Sequence, residues 1–202
     1  MPKQIWRPNT LISPVPPAMV SCGTVEEPNI ITVAWTGVVN SDPPMTYISV
    51  RPQRYSHGLI SASGEFVINL TTRGLVRVAD ICGMKSGRDF DKFAELGLTP
   101  LPASTVSAPL IAESPVSFEC RVEEVKPLGS HDMFLARITA VQVDEELIDK
   151  SGKLRLDRVG LAAFAHGEYY ALGERLGTFG FSVRKKPQKR ATDRAVRTKP
   201  KK

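Results

Sequence analysis

Two stretches, residues 115–125 (PVSFECRVEEV) and 133–143 (MFLARITAVQV), alternate apolar and polar side chains and are separated only by KPLGSHD. A period of two places successive side chains on opposite faces of an extended chain, so each stretch reads as a strand with one buried face. In the first, Val116, Phe118, Cys120, Val122 and Val125 mainly supply that face. A short linker containing Gly129 leaves no room for a crossover helix, so the two are expected to pair antiparallel. A chain committed to such a pair is poorly suited to a doubly wound parallel sheet.

The rest of the sequence fits the same plan. Residues 18–25 and 30–36 (IITVAWT) are rich in β-branched side chains and flank EEPN, which reads as the turn of a hairpin. A loop holding Asp42, Pro43 and Pro44 leads to a third short strand, 46–51 (TYISVR), and 66–70 (FVINL) gives a fourth. Residues 161–172 (LAAFAHGEYYAL) form a last candidate, interrupted at Gly167. Three short helices are expected between them. One spans 56–64, with Ser56 as its N-cap and Gly64 as its stop; the others span 73–84 and 89–96, the last ended by Gly97. The expected fold is mainly β, an antiparallel sheet closed or nearly closed into a barrel, with a few short inserted helices. The 16 prolines and 15 glycines suit its many turns.

Residues 1–17 carry five prolines and read as an extended lead-in, residues 18–183 as the barrel domain, and 184–202 as a basic, disordered tail. The tail holds ten Lys/Arg and one Asp, so the net charge of +6 hides a body of about −3. Contact of the tail with nucleic acid or anionic lipid is the other use of such charge. No apolar run suits a membrane span and the N-terminus lacks a signal-like apolar core, so a cytoplasmic protein is expected. Cys22, Cys82 and Cys120 are odd in number and widely spaced, which argues for packing rather than disulfides.

Several chemistries lack their signatures. There is no G-x-G-x-x-G after a strand, no G-x-S-x-G elbow, and no Walker spacing in residues 83–87 (GMKSG). His57, His131 and His166 are scattered without metal-ligand spacing. What remains is residues 51–56 (RPQRYS), where Arg51 and Arg54 stand beside Ser56 at a strand end and a helix start. Guanidinium forks and unpaired helix amides suit a phosphate, while the plain alternative is a polar loop with solvated arginines. The apolar run 29–37 (NIITVAWTG) suits a planar ring laid along a strand, or else an ordinary buried strand. Trp35 suits either core or ring contact, and His131 either a hydrogen bond to a redox ring or a plain loop.

Five segments, NIITVAWTGVVNSDPPMTYISVRPQRYSHGLI, GEFVINL, DICGMKSGRDFDKF, LGSHDMFLARI and HGEYYALGERLG, together resemble the flavin reductase-like family. Its FMN-binding split barrel also occurs in flavoredoxins and some ferric reductases. The resemblance covers residues 29–177. It implies a split barrel holding FMN non-covalently, with Asn29, Thr32, Val33, Ala34 and Trp35 lining the isoalloxazine ring. It places Ser49, Val50, Arg51, Arg54 and Ser56 at the ribityl chain and phosphate, brings Cys82, Ser86 and Lys92 toward the cofactor, and sets His131 near the donor or acceptor. It further implies a homodimer and an NAD(P)H-dependent flavin reductase passing electrons to free flavin or another acceptor. The alternatives are a flavoredoxin-type carrier without efficient NAD(P)H turnover, or a non-redox anion- or nucleic-acid-binding barrel.

Overall fold

The computed structural model describes residues 1–184. The expectation for the basic tail therefore lies, beyond Arg184, outside the described residues. Residues 1–172 form one compact unit. The second unit begins at Gly173 and is described as far as Arg184; it carries a single 3-10 turn, Phe181–Val183.

Two hairpins open the first unit. Strands β1 (Ala18–Gly23) and β2 (Pro28–Val33) pair antiparallel, as the EEPN turn implies. The second hairpin is β3 (Thr36–Ser41) with β4 (Pro44–Val50). Here the chain departs from expectation. Residues 30–36 are not one strand, because β2 stops at Val33, and residues 37–41, read as part of a loop, belong with Thr36 to a strand of their own. β3 has a single strand neighbour and exposes Val38 and Val39, so burial imposes no alternation on its sequence.

Helix α1 (Tyr55–Ser63) follows, then β5 (Glu65–Asn69), a 3-10 turn (Arg73–Leu75), α2 (Val76–Met84) and α3 (Lys92–Leu96). Gly64 ends α1 in the left-handed conformation, at φ 68°. The cap of α1 is Arg54 rather than Ser56, which lies inside the first turn and is buried. Asp91 caps α3, its carboxylate accepting from the amides of Phe93 and Ala94.

A short ribbon, β6 (Pro100–Leu101) with β7 (Leu110–Ile111), precedes the two long strands, β8 (Val116–Pro127) and β9 (Asp132–Val143). These pair antiparallel along their lengths, with irregularities at Glu119/Cys120 and Val122/Glu124. The slips interrupt the alternation and leave Val125 exposed. Residues 161–172 form a separate hairpin, β10 (Ala162–Ala165) and β11 (Glu168–Ala171), rather than one strand, because His166 and Gly167 both adopt positive φ and turn the chain.

The main sheet runs in the order β2-β1-β5-β8-β9-β4-β3. It curls onto itself: Val20, Ile31, Ile48, Phe66, Cys120 and Phe134, from six of its strands, share one buried cluster with Ile60 of α1. The ladder is open at the Ala34–Trp35 connection, where the Ser49 amide donates to the Trp35 carbonyl at 3.0 Å. Strands β1 and β2 bury their other face too, placing Met19 and Ile30 against α2 and α3. All three cysteines are free and buried.

On the barrel's outer face Glu119 is fully buried under residues 104–105. Its carboxylate accepts from the Ser104 and Thr105 amides and hydroxyls, and from Gln142 Nε2 at 2.6 Å. Burial pushes this carboxyl up, but the hydrogen bonds from Thr105, Gln142 and Ser104 outweigh it and hold the pKa at about 2. Among the described residues no helix is long and apolar enough to cross a membrane.

Candidate functional site

The seam of the barrel is where the site forms. Where β2 ends, the chain crosses to β3 through Ala34 and Trp35, and β4 ends alongside at Val50. A groove of about 170 Å³ opens there, lined by residues 31–35 and 49–51, together with Arg54 and His131. A second recess of about 180 Å³ shares Ile31 and Arg54 with it. This recess is closed by Tyr55 and Ser56 of α1, Cys82 of α2, the Lys85–Arg88 loop and Lys92 of α3.

The groove is mostly apolar. Thr32 lies in its wall, but its Oγ1 already donates to the Ala79 carbonyl at 2.5 Å, so the hydroxyl can only accept from a ligand. Trp35 is 41% exposed, which settles that it is not a core residue. Its ring packs on His131, with centroids 4.5 Å apart and planes tilted by 43°. Partial burial, and then the nearby Arg51 charge, lower the His131 pKa, so at neutral pH the ring is uncharged and offers a single N–H.

The recess is cationic. Arg54, Lys85, Arg88 and Lys92 stand in its wall and no carboxylate does. Lys92 is 3% exposed, and its Nζ donates to the carbonyls of Ile30 at 2.5 Å and Cys82 at 2.8 Å. Among the described residues no ion pair includes Arg51, Arg54, Lys85, Arg88 or Lys92. Burial lowers the Lys92 pKa, as expected of a cation out of water without a counter-charge. Helix α1 opens onto the same recess with no side-chain cap and no acidic residue in its first turn. An anion entering here meets converging positive charge and unpaired amides. Cys82 has its thiol pushed up to about 11 by burial and is no nucleophile at neutral pH.

Most of the residues singled out in the sequence meet at these two walls. Thr32, Val33, Ala34, Trp35, Ser49, Val50, Arg51 and His131 line the groove; Ser56, Cys82, Ser86 and Lys92 line the recess; Arg54 lines both. Asn29 is in neither wall. It is buried behind Ser56, with Nδ2 donating to Ser56 Oγ at 2.7 Å, so it braces the site. Lys85 and Arg88 were missed as site residues, although two cations spaced by Ser86 and Gly87 directly after a helix are a readable anion signal. Arg88 lies 5.6 Å from the Tyr55 ring centroid.

Gly87 sets the loop's approach. A Cβ there would sit 2.0 Å from Asn29 Oδ1 and 3.0 Å from a Tyr55 ring carbon. Gly87→Ala is expected to destabilise the fold by about 1–3 kcal/mol, the usual cost of overpacking, read as a lower urea midpoint. An unchanged midpoint would show that the loop yields freely.

An antiparallel barrel, open at one seam where an apolar groove meets a cationic recess, is a split barrel. The chain belongs to the flavin reductase-like family: the model of the flavin reductase like domain matches residues 12–173. The chain is 34% identical to the flavoredoxin of Desulfovibrio vulgaris (Miyazaki F), with a TM-score of 0.82 over 90% of this chain and 100% of that one. A flavoredoxin from Methanosarcina acetivorans gives 25% identity and a TM-score of 0.82, covering 91% and 100%. An uncharacterised protein of Pyrococcus abyssi is 30% identical over 82% of this chain and 95% of its own length. An FMN-binding protein from Thermus thermophilus has 26% identity and a TM-score of 0.73, covering 88% and 98%.

Proposed function

We propose that this protein holds one FMN non-covalently at the barrel seam and passes electrons through it between a donor and an acceptor. The observation that carries this reading is an apolar groove joined to a recess with four cations and no carboxylate in its wall. A phosphate monoester on a planar ring has that distribution of charge and shape. Bound FMN supplies reversible electron chemistry that no side chain of the protein supplies.

In this reading Arg51, Arg54, Ser56 and Lys92 hold the phosphate, and the open amides of α1 add to them. Residues 32–35 position the ring, with backbone groups rather than the Thr32 hydroxyl as donors. Trp35 and His131 wall the mouth of the groove against water, and neutral His131 offers a hydrogen bond there without adding charge. The barrel alone leaves one side of a ring uncovered, which the second subunit of a homodimer would cover. Arg51→Ala is expected to weaken FMN binding by about 1.5–3 kcal/mol, the range for a charged hydrogen bond. Fluorescence titration checks it, and unchanged affinity would put the phosphate elsewhere.

Two donors fit this reading. As a reductase the protein takes hydride from NAD(P)H and delivers electrons to free flavin or another acceptor. A carrier of the flavoredoxin kind is the other reading, supported by the 34% identity and TM-score of 0.82 to the flavoredoxin of Desulfovibrio vulgaris (Miyazaki F). Steady-state NADH and NADPH oxidation with excess FMN separates the two, since sustained turnover requires the reductase and its absence leaves the carrier.

A further inference from the structure

Residues 51–56 leave the sheet at the end of β4 and run into the first turn of α1. Two successive turns carry them, with the Arg54 amide donating to the Arg51 carbonyl and the His57 amide to the Arg54 carbonyl, both at 3.0 Å. The excursion ends close to where it began. His57 Nε2 donates to Asp132 Oδ2 at 2.8 Å, and Asp132 is the register partner of Val50, the last residue of β4. Asp132 also follows His131 directly, so the same bond joins the arginine-bearing loop to the mouth of the groove. The two side chains are 16% and 17% exposed, whereas every other ion pair among the described residues has a side chain more than a quarter exposed. The edge of the His57 ring rests on Phe134 of the core, with centroids 5.1 Å apart. Such a sheltered bond holds its geometry more firmly than one in water.

We propose that His57 and Asp132 are positioning residues, whose bond pins the loop 51–56 and fixes the phosphate seat at a set distance from the ring groove. The proposal rests on the flavin reading above. Neither residue lines the groove or the recess, so neither touches the ligand. With the bond broken, the loop still carries Arg51, Arg54 and Ser56, and the groove keeps its wall. What is lost is the spacing between them. FMN joins a ring and a phosphate through one ribityl chain, so it fills both seats only when their separation matches its own. Its second contact is then intramolecular, and the gain over either part alone depends on that match. Breaking the clamp therefore removes the advantage of the joined ligand and spares each half.

The test compares three ligands on the full chain: FMN and riboflavin by fluorescence titration, and inorganic phosphate by phosphorus NMR. Asp132→Ala is expected to weaken FMN binding by about 10-fold or more, with riboflavin and inorganic phosphate each changed by less than about threefold. Asp132→Asn keeps an acceptor oxygen for His57 and is expected to bring FMN affinity back to within about threefold of native. Similar losses for all three ligands would mean that the pair only supports the fold, and would overturn the proposal. So would an unchanged FMN affinity, or a loss that the Asn variant does not repair. Hydrogen exchange of the flavin-free chain reads the clamp without any ligand. The bonded amides of Arg54 and His57 should exchange about 10-fold faster in the Ala variant and at the native rate in the Asn variant. Exchange that the Ala variant leaves unchanged overturns the pinned loop. Native protein that takes up no FMN fails the flavin reading instead, and the exchange rates then decide the clamp by themselves.

Discussion

Lys92→Met is expected to weaken FMN binding by about 1.5–3 kcal/mol, roughly 10- to 150-fold, while changing riboflavin affinity by less than about threefold. The expectation follows from where the cation sits. Lys92 is buried, donates to two carbonyls that carry no full charge, and has no ion-pair partner among the described residues. A buried ammonium costs several kcal/mol of hydration and holds its charge best when an anion arrives. Riboflavin has the ring but not the phosphate, so the comparison isolates the charge contact from everything that shapes the groove. Equal losses for both ligands would mean that Lys92 only braces the Ile30 and Cys82 carbonyls.

The second large effect lies away from the site, on strand β8. Glu119→Gln is expected to destabilise the fold by about 3–5 kcal/mol, because one carboxylate oxygen becomes an NH2 facing the Ser104 and Thr105 amides, whose acceptor is this carboxylate. The native carboxylate also predicts a pH signature. Its pKa is held at about 2, below the ordinary 4.5, so its contribution is fully present above pH 4.5 and is lost as pH falls toward 2. The loss amounts to about 3 kcal/mol over that window. Chemical denaturation across the window checks it. The Gln variant should be less stable at pH 7 and should lack most of the native protein's further loss on acidification, whereas parallel pH profiles would contradict the assignment.

The sequence carries the frame of this molecule more clearly than its joints. Residues 115–125 and 133–143 alternate because one face of each strand is buried, and burial is what a sequence records. β3 is an edge strand open to solvent, and nothing in the pattern of TGVVNS separates it from a loop. The hairpin hidden in residues 161–172 shows the same limit, since a turn through His166 and Gly167 looks like an interruption when its pairing partner is unknown. Glu119 reads as an outward-facing polar residue, which gives the correct face. Its burial depends on residues 104–105 folding over it, a contact that strand periodicity does not encode.

The site divides along similar lines. Arg51 and Arg54 are legible because they share one strand end with the start of α1. Lys85 and Arg88 are harder to read, because residues 83–87 lack the fixed spacing of a Walker loop. Their role needs no fixed spacing, only an approach to α1 that Gly87 permits. Ser56 suggested a helix cap by its position. Folding instead makes it the acceptor for Asn29, and leaves α1 without a side-chain cap over its Tyr55 and Ser56 amides.

Side-by-side fluorescence titration of the purified full chain with FMN and with riboflavin tests the central claim most directly. The protein should bind FMN at micromolar concentration or tighter, turn yellow, and prefer it to riboflavin by about 10-fold or more, the value of one good charged contact. A colourless protein that leaves FMN fluorescence unquenched, or one that binds both flavins equally well, would contradict the assignment of the cationic recess to a flavin phosphate.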